Sequence, residues 1–145
     1  MPHGLIDVDA LDQCLPHPAD DPWGERLACA NLAAVAANFR RHGARRLVLA
    51  RAVQGRQQLA GYRDAIPGAR ITVVRLEGSP ETIRRRLQDR EVGSLREWFV
   101  SRTDGLGADL ENAAVEDFVV SNDGRSVPEV ASEILDRLGW VSRSS

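Results

Sequence analysis

Two carboxylates stand two positions apart where a short apolar run ends, in Leu5-Ile6-Asp7-Val8-Asp9. If that run is a strand of a parallel sheet, acids at its C-terminal end face the crevice where such sheets bind ligands. The chemistry open to paired carboxylates there is proton transfer and the binding of hydroxyls or cations. The plainer alternative is that Asp7 and Asp9 solvate a strand end. A second group is cationic. Arg86 and Arg90 lie four residues apart, hence on one face of a helix, and two guanidiniums so placed suit an anionic ligand. Arg84, Arg85 and Arg86 cannot all point the same way, so part of this run is solvated surface. A third group, Asn122-Asp123-Gly124-Arg125, is a turn composition in front of a helix, which explains it without any ligand.

Other chemistries are excluded by residue type. All 19 basic residues are arginine, which removes every mechanism that needs a titrating or Schiff-base lysine. Cys14 and Cys29 show no CxxC spacing and read as small packed residues rather than a disulfide or zinc framework. His3, His17 and His42 are scattered and lack the i, i+4 spacing of a helical metal site, so no metal is assigned to them. Trp23, Trp98 and Trp140, with Phe99, read as packing.

The elements that must position these groups follow from periodicity. Leu5–Val8 reads as a strand, and the proline-rich segment from Cys14 to Pro22 as a long loop. Leu32, Val35, Ala36 and Phe39 repeat at helical spacing, and Gly43 after Arg40, Arg41 and His42 reads as the stop of that helix. Arg46–Ala50 is a buried parallel strand, and Arg56 to Ala65 a weaker helix ended by Ile66-Pro67-Gly68. Ile71–Leu76 is the next strand. Ser79-Pro80-Glu81 caps a helix running to Arg90. Leu95, Trp98, Phe99 and Arg102 suggest a further helix, broken near Gly105 and Gly107 and continued through Leu110. Asp117–Ser121 is the last strand, Ser126-Val127-Pro128-Glu129 a capping box, and Val130, Ile134 and Leu138 the apolar face of the closing helix before Gly139. Val141–Ser145 reads as a frayed tail.

Alternating strands and helices with right-handed crossovers give an α/β fold: a parallel sheet with helices on both faces, three layers in all. At 145 residues the chain has room for a single domain spanning 1–145. With 19 basic against 21 acidic residues, no basic face for nucleic acid is expected. The apolar runs are too short for a membrane span, and the acidic N-terminus does not suit a signal peptide, which points to the cytoplasm.

Three segments together resemble the small-molecule kinases of the P-loop superfamily, the group of shikimate, gluconate, adenylylsulfate and antibiotic phosphotransferases. Leu5-Ile6-Asp7-Val8-Asp9-Ala10-Leu11 is similar to the DxD after their second strand. Ser79-Pro80-Glu81 with Arg86, Leu87 and Arg90 resembles the helix leading into their lid. Asp117 to Leu135 resembles their last strand, adenine-side loop and closing helix. The likeness runs in order from about Leu5 to about Leu138. It implies an ATP-dependent phosphotransferase fold with magnesium, a small-molecule phosphate acceptor, Asp7 organising the metal or taking the hydroxyl proton, and Asp9 binding the acceptor. It further implies Arg86 and Arg90 as lid cations, and Asn122, Gly124 and Arg125 beside the base.

One family feature is missing. The phosphate cradle G-x-x-x-x-G-K-[ST] belongs before Leu5, where only Met1 to Gly4 stand, and its lysine, backbone amides and magnesium-binding hydroxyl are not supplied. In the resembled kinases the first strand lies mid-sheet, so a fold without it leaves two inward edges unpaired. The expectation is therefore a kinase-like domain that is inactive as this chain. The strands close up, another chain fills the gap, or the natural product extends further at its N-terminus. The alternative is a non-enzymatic remnant that forms homo-oligomers through its open sheet edges.

Overall fold

The computed structural model describes residues 2–90 and 105–141, with side chains described for 2–86 and 105–141. The expected helix over Leu95, Trp98, Phe99 and Arg102, and the tail after Val141, lie outside the described residues. The chain divides into two compact units, Met1–Ile71 and Thr72–Ser145.

The first unit runs β1 (His3–Asp7), a 3₁₀ turn (Val8–Ala10), α1 (Glu25–Arg41), β2 (Arg46–Ala50) and α2 (Arg56–Ala65). β1 and β2 pair in parallel, from His3 opposite Arg46 to Asp7 opposite Ala50. β1 alternates strictly, with Gly4 and Ile6 buried and His3, Leu5 and Asp7 exposed. The buried side meets Ala28, Leu32 and Ala36 of α1, three positions at helical spacing, and Tyr62 of α2. Leu32 and Val8 are wholly buried.

α1 begins seven residues before its apolar periodicity does, because its N-terminus is held from outside the helix. The Asp21 carboxylate accepts from the Arg26 amide at 3.1 Å and the Leu27 amide at 3.4 Å, satisfying two orphan donors. Gly24 at φ 65° makes the bend into the helix, and a Cβ there would lie 2.8 Å from the Asp12 Cβ and 2.9 Å from His17 Nε2.

The second unit holds β3 (Val74–Glu77), α3 (Pro80–Arg90), a helix α4 over residues 105–113, β4 (Phe118–Ser121) and α5 (Val127–Arg137). β3 and β4 are parallel, from Val74 opposite Phe118 to Glu77 opposite Ser121. Val120 and Val130 are buried, and the Arg137 guanidinium lies 4.6 Å over the Phe118 ring. The Ser126–Glu129 capping box forms as the sequence indicates.

The α/β class and the parallel pairing are therefore observed, as one two-stranded parallel sheet in each unit among the described residues, and a continuous three-layer sheet is not shown. One strand boundary differs from expectation. The strand expected over Ile71–Leu76 starts late: Ile71 packs on the core of the first unit, and pairing begins where Val73 bonds Asp117 through its amide (2.7 Å, to Oδ2) and its carbonyl (2.8 Å). No described helix is long and apolar enough to cross a membrane.

Candidate functional site

In the first unit the two expected carboxylates do sit at the C-terminal end of β1. Asp7 ends the strand, and its Oδ1 accepts the Asp9 amide at 3.1 Å, which turns the chain into the 3₁₀ segment. That turn sends Asp9 towards a residue that pattern reading missed. Arg51 directly follows β2, so the parallel register brings it beside the end of β1. Its Nε stands 3.5 Å from Asp9 Oδ1, Nη1 is 2.9 Å from Asp12 Oδ2, and Nη2 is 2.9 Å from Glu25 Oε1. The arginine is 11% exposed at its side chain, Asp9 70%. Gln58 of α2 donates a further bond to Glu25 Oε1 at 3.0 Å.

The electrostatics follow from that packing. Desolvation lifts Asp9 above the ordinary carboxylate value, Arg51 opposes the rise, and Asp7 and Asp12 add to it by repulsion. The Tyr62 hydroxyl is pushed up by burial and has no hydrogen-bond partner among the described residues. The one sequence signal for Arg51 is its place directly after the strand Arg46–Ala50, which pattern reading did not single out. Asp12 and Glu25 carry no local signal, since they arrive from a loop and from a helix start.

In the second unit a concave pocket of about 540 Å³ opens at the C-terminal ends of β3 and β4, lined among others by Glu77, Ser79, Ile83, Glu111, Ser121 and Asp123. Asp123 dominates it. Both its oxygens accept the Ser79 amide, at 2.8 and 2.9 Å, and Oδ1 also takes the Ser79 hydroxyl at 3.1 Å. Bonds from Thr82 first, and then from Ser79, hold its carboxyl below the ordinary range. The N-terminus of α3 is thus already occupied by an anion of the protein itself.

The other residues singled out in this unit are engaged structurally. Arg86 Nη2 donates to the Asn122 carbonyl at 3.2 Å. With its amide assigned from its neighbours, Asn122 accepts from Arg86 Nη1 at 2.9 Å and donates to the Glu77 carbonyl at 3.0 Å. Gly124, at φ 64°, makes the turn. Arg125 Nη1 reaches Glu133 at 2.7 Å and the Ser121 carbonyl at 2.9 Å, tying β4 to α5. Arg90 is the last residue of α3 and its side chain lies outside those described. Asp7 and Asp9 therefore belong to one unit, and Arg86, Arg90, Asn122, Gly124 and Arg125 to the other.

A triphosphate with magnesium does not fit the described side chains. The chain has no lysine, the pocket of the second unit is lined by Glu77, Glu111 and Asp123, and the α3 N-terminus is taken. No cluster of three or more metal-ligating side chains occurs among the described residues. No family model, curated protein or solved structure matches the chain.

Proposed function

We propose that this chain is the acceptor-binding portion of a P-loop small-molecule kinase-like phosphotransferase, which does not hold ATP and magnesium by itself. The observation that carries the reading is the placement of Asp9, a carboxylate with a raised affinity for protons, at the end of a parallel strand and 3.5 Å from the Arg51 guanidinium. Carboxylates at that edge of a parallel sheet face the ligand crevice. Asp9 receives the hydroxyls of a small-molecule acceptor, and Asp7, one strand position before the turn, is the candidate for proton acceptance. The lid role of Arg86 and Arg90 and the base-side role of Asn122, Gly124 and Arg125 rest on the resemblance alone, and within the second unit Arg86 is bonded to Asn122 and Arg125 to Glu133. The two free cysteines, Cys14 and Cys29, suit a reducing compartment, and the reading places the protein in the cytoplasm.

The test is a magnesium-ATP titration of this chain together with a phosphotransfer assay on a form extended by a phosphate-loop segment. The reading expects no ATP binding by the chain, and transfer by the extended form that Asp7→Asn cuts by about 100-fold or more. Unchanged turnover in the variant removes the role of Asp7, and tight ATP uptake by the 145-residue chain overturns the whole reading.

One observation favours the second reading, a non-enzymatic module that self-associates. Among the described residues each sheet has two strands, and Leu5 and Val48 are exposed apolar side chains on β1 and β2, the kind of sheet surface that pairs with another chain. A nucleotide-free dimer in light scattering supports it, whereas a monomer that binds ATP excludes it.

A further inference from the structure

The overall charge is nearly even, yet within the first unit it is segregated. No Asp or Glu occurs between Glu25 and Asp64, a stretch that carries eight arginines. Four of them, Arg40, Arg41, Arg45 and Arg46, fall where α1 ends and β2 begins. Arg40, Arg41 and Arg45 are exposed and Arg46 is half-buried. The Arg40 and Arg45 side chains make no ion pair among the described residues, and Arg41 bonds the neutral Asn38 side chain. The turn beneath them is fixed, with the amides of Gly43, Ala44 and Arg45 bonded to the carbonyls of Arg40, Phe39 and Pro2 at 3.0, 2.9 and 3.1 Å.

Apart from Asp64, the acids of this unit lie between the end of β1 and the start of α1. From Glu25 to Arg41 α1 runs 17 residues, about 25 Å of helix, against a screening length of about 8 Å in physiological salt. Those acids therefore leave the field of the basic end largely intact. A plainer explanation covers half of the group: Arg40 and Arg41, in the last turn of α1, offset the negative pole of the helix. That pole amounts to about half a charge, which four guanidiniums exceed severalfold, and Arg45 and Arg46 lie beyond the helix.

The composition of this end selects among anionic partners. A guanidinium fork matches the oxygens of a phosphodiester. Residues 40–46 hold no large apolar side chain to enter a bilayer, and Phe39 packs on the core, so no aromatic ring is offered to unpaired bases. A second copy of the chain is a poor match, because Asp12 and Glu25 are taken by Arg51, Asp20 by Arg26, and Asp21 by the amides of α1. Phosphate contacts alone fix position without reading sequence.

We infer that the end of the first unit carrying Arg40, Arg41, Arg45 and Arg46 binds the phosphate backbone of a double-stranded nucleic acid without regard to base sequence. The surface is separate from the proposed acceptor site, and the presence or absence of phosphate transfer by the extended form leaves it untouched.

The test is fluorescence anisotropy of a labelled DNA duplex of about 20 base pairs, titrated with the 145-residue chain at several salt concentrations. With four phosphates neutralised, log K should fall against log salt with a slope of about −3.6, a loss of about 100-fold between about 50 and about 200 mM, and Kd should be about 10–100 μM near physiological salt. Arg40→Gln/Arg45→Gln, at two exposed positions, should reduce the slope by about 2 and weaken binding about tenfold or more at the low-salt end. Arg56→Gln, an exposed arginine at the start of α2, should change the affinity by less than about twofold. Amide shifts in the unsubstituted chain on adding duplex should gather at residues 40–46, a readout that does not depend on how any variant folds. A flat salt dependence overturns the inference, as do shifts elsewhere or an equal loss in Arg56→Gln and the double variant. Tighter binding of the single strand, of phosphatidylserine–phosphatidylcholine vesicles or of polyglutamate than of the duplex overturns it as well.

Discussion

Leu5 and Val48 are direct partners across β1 and β2, and both point away from the core, 67% and 41% exposed. Parallel pairs are ordinarily covered on both faces, and here α1 and α2 pack on the side that carries Ile6. Replacing both residues by threonine keeps their preference for strand geometry while removing the apolar surface. The double variant Leu5→Thr/Val48→Thr should unfold within about 1 kcal/mol of the parent, because neither side chain is buried. Light scattering over rising concentration should show less association than in the parent. A large loss of stability would mean that something covers this face in solution.

His17 lies between two acceptors. Its Nε2 is 2.8 Å from the Asp12 carbonyl and its Nδ1 is 3.1 Å from the Pro22 carbonyl, so both bonds form only when both ring nitrogens carry hydrogen. The imidazolium is favoured first by the Asp12 carbonyl, then by that of Pro22, with the Asp12 and Asp21 carboxylates adding attraction, and the pKa rises above its ordinary 6.5. A raised folded value gives a contribution that is complete below about 6.5 and is lost as pH climbs through the folded value. The urea midpoint of the parent should therefore fall between about pH 6 and about pH 8 more than that of His17→Gln. Equal slopes would show that the ring does not bridge the two carbonyls.

Asp123 gives the opposite sign. Its carboxyl is held below the ordinary range by Thr82 and by the Ser79 amide, so what it adds is present above the usual aspartate pKa and is lost as pH falls through the depressed value. Asp123→Ala should fray the first turn of α3, seen as faster hydrogen exchange at the Ile83 amide, which bonds the Ser79 carbonyl at 3.0 Å. Asp123→Asn, which keeps acceptor atoms but no charge, should lose the acid dependence and part of the protection.

How much of this was legible varies with the range of the interaction. The span of α2 and the start of α3 at Pro80 are fixed by caps, glycine stops and proline within a few residues, and sequence shows them. The early start of α1 is not visible, because its cap is Asp21, four residues before the first helical residue and reached through the turn at Gly24. Asp7 and Asp9 could be placed at a strand end from the apolar run alone. Their partner Arg51 depends on strand register, and Asp12 and Glu25 on how a loop and a helix fold back, which no local pattern encodes. The same limit applies to the sheets: periodicity finds strands, but which edges pair is a long-range result.

Arg51 is the residue whose loss the first unit should tolerate least among its charged side chains. Its side chain is 11% exposed and it neutralises Asp12 and Glu25 at 2.9 Å each, so Arg51→Met leaves two part-buried carboxylates without their cation. Removing one partner of a buried ion pair costs more than the pair contributes, and a loss of about 3 kcal/mol is expected. The substitution should also lift the apparent pKa of Asp9 further, since Arg51 is the one group that lowers it. Adding Glu25→Gln to Arg51→Met removes one of the stranded charges and should recover about 1 kcal/mol, a coupling that a double-mutant cycle in urea measures directly. Additive losses would place Arg51 and Glu25 outside a shared network and would detach Asp9 from the site built around them.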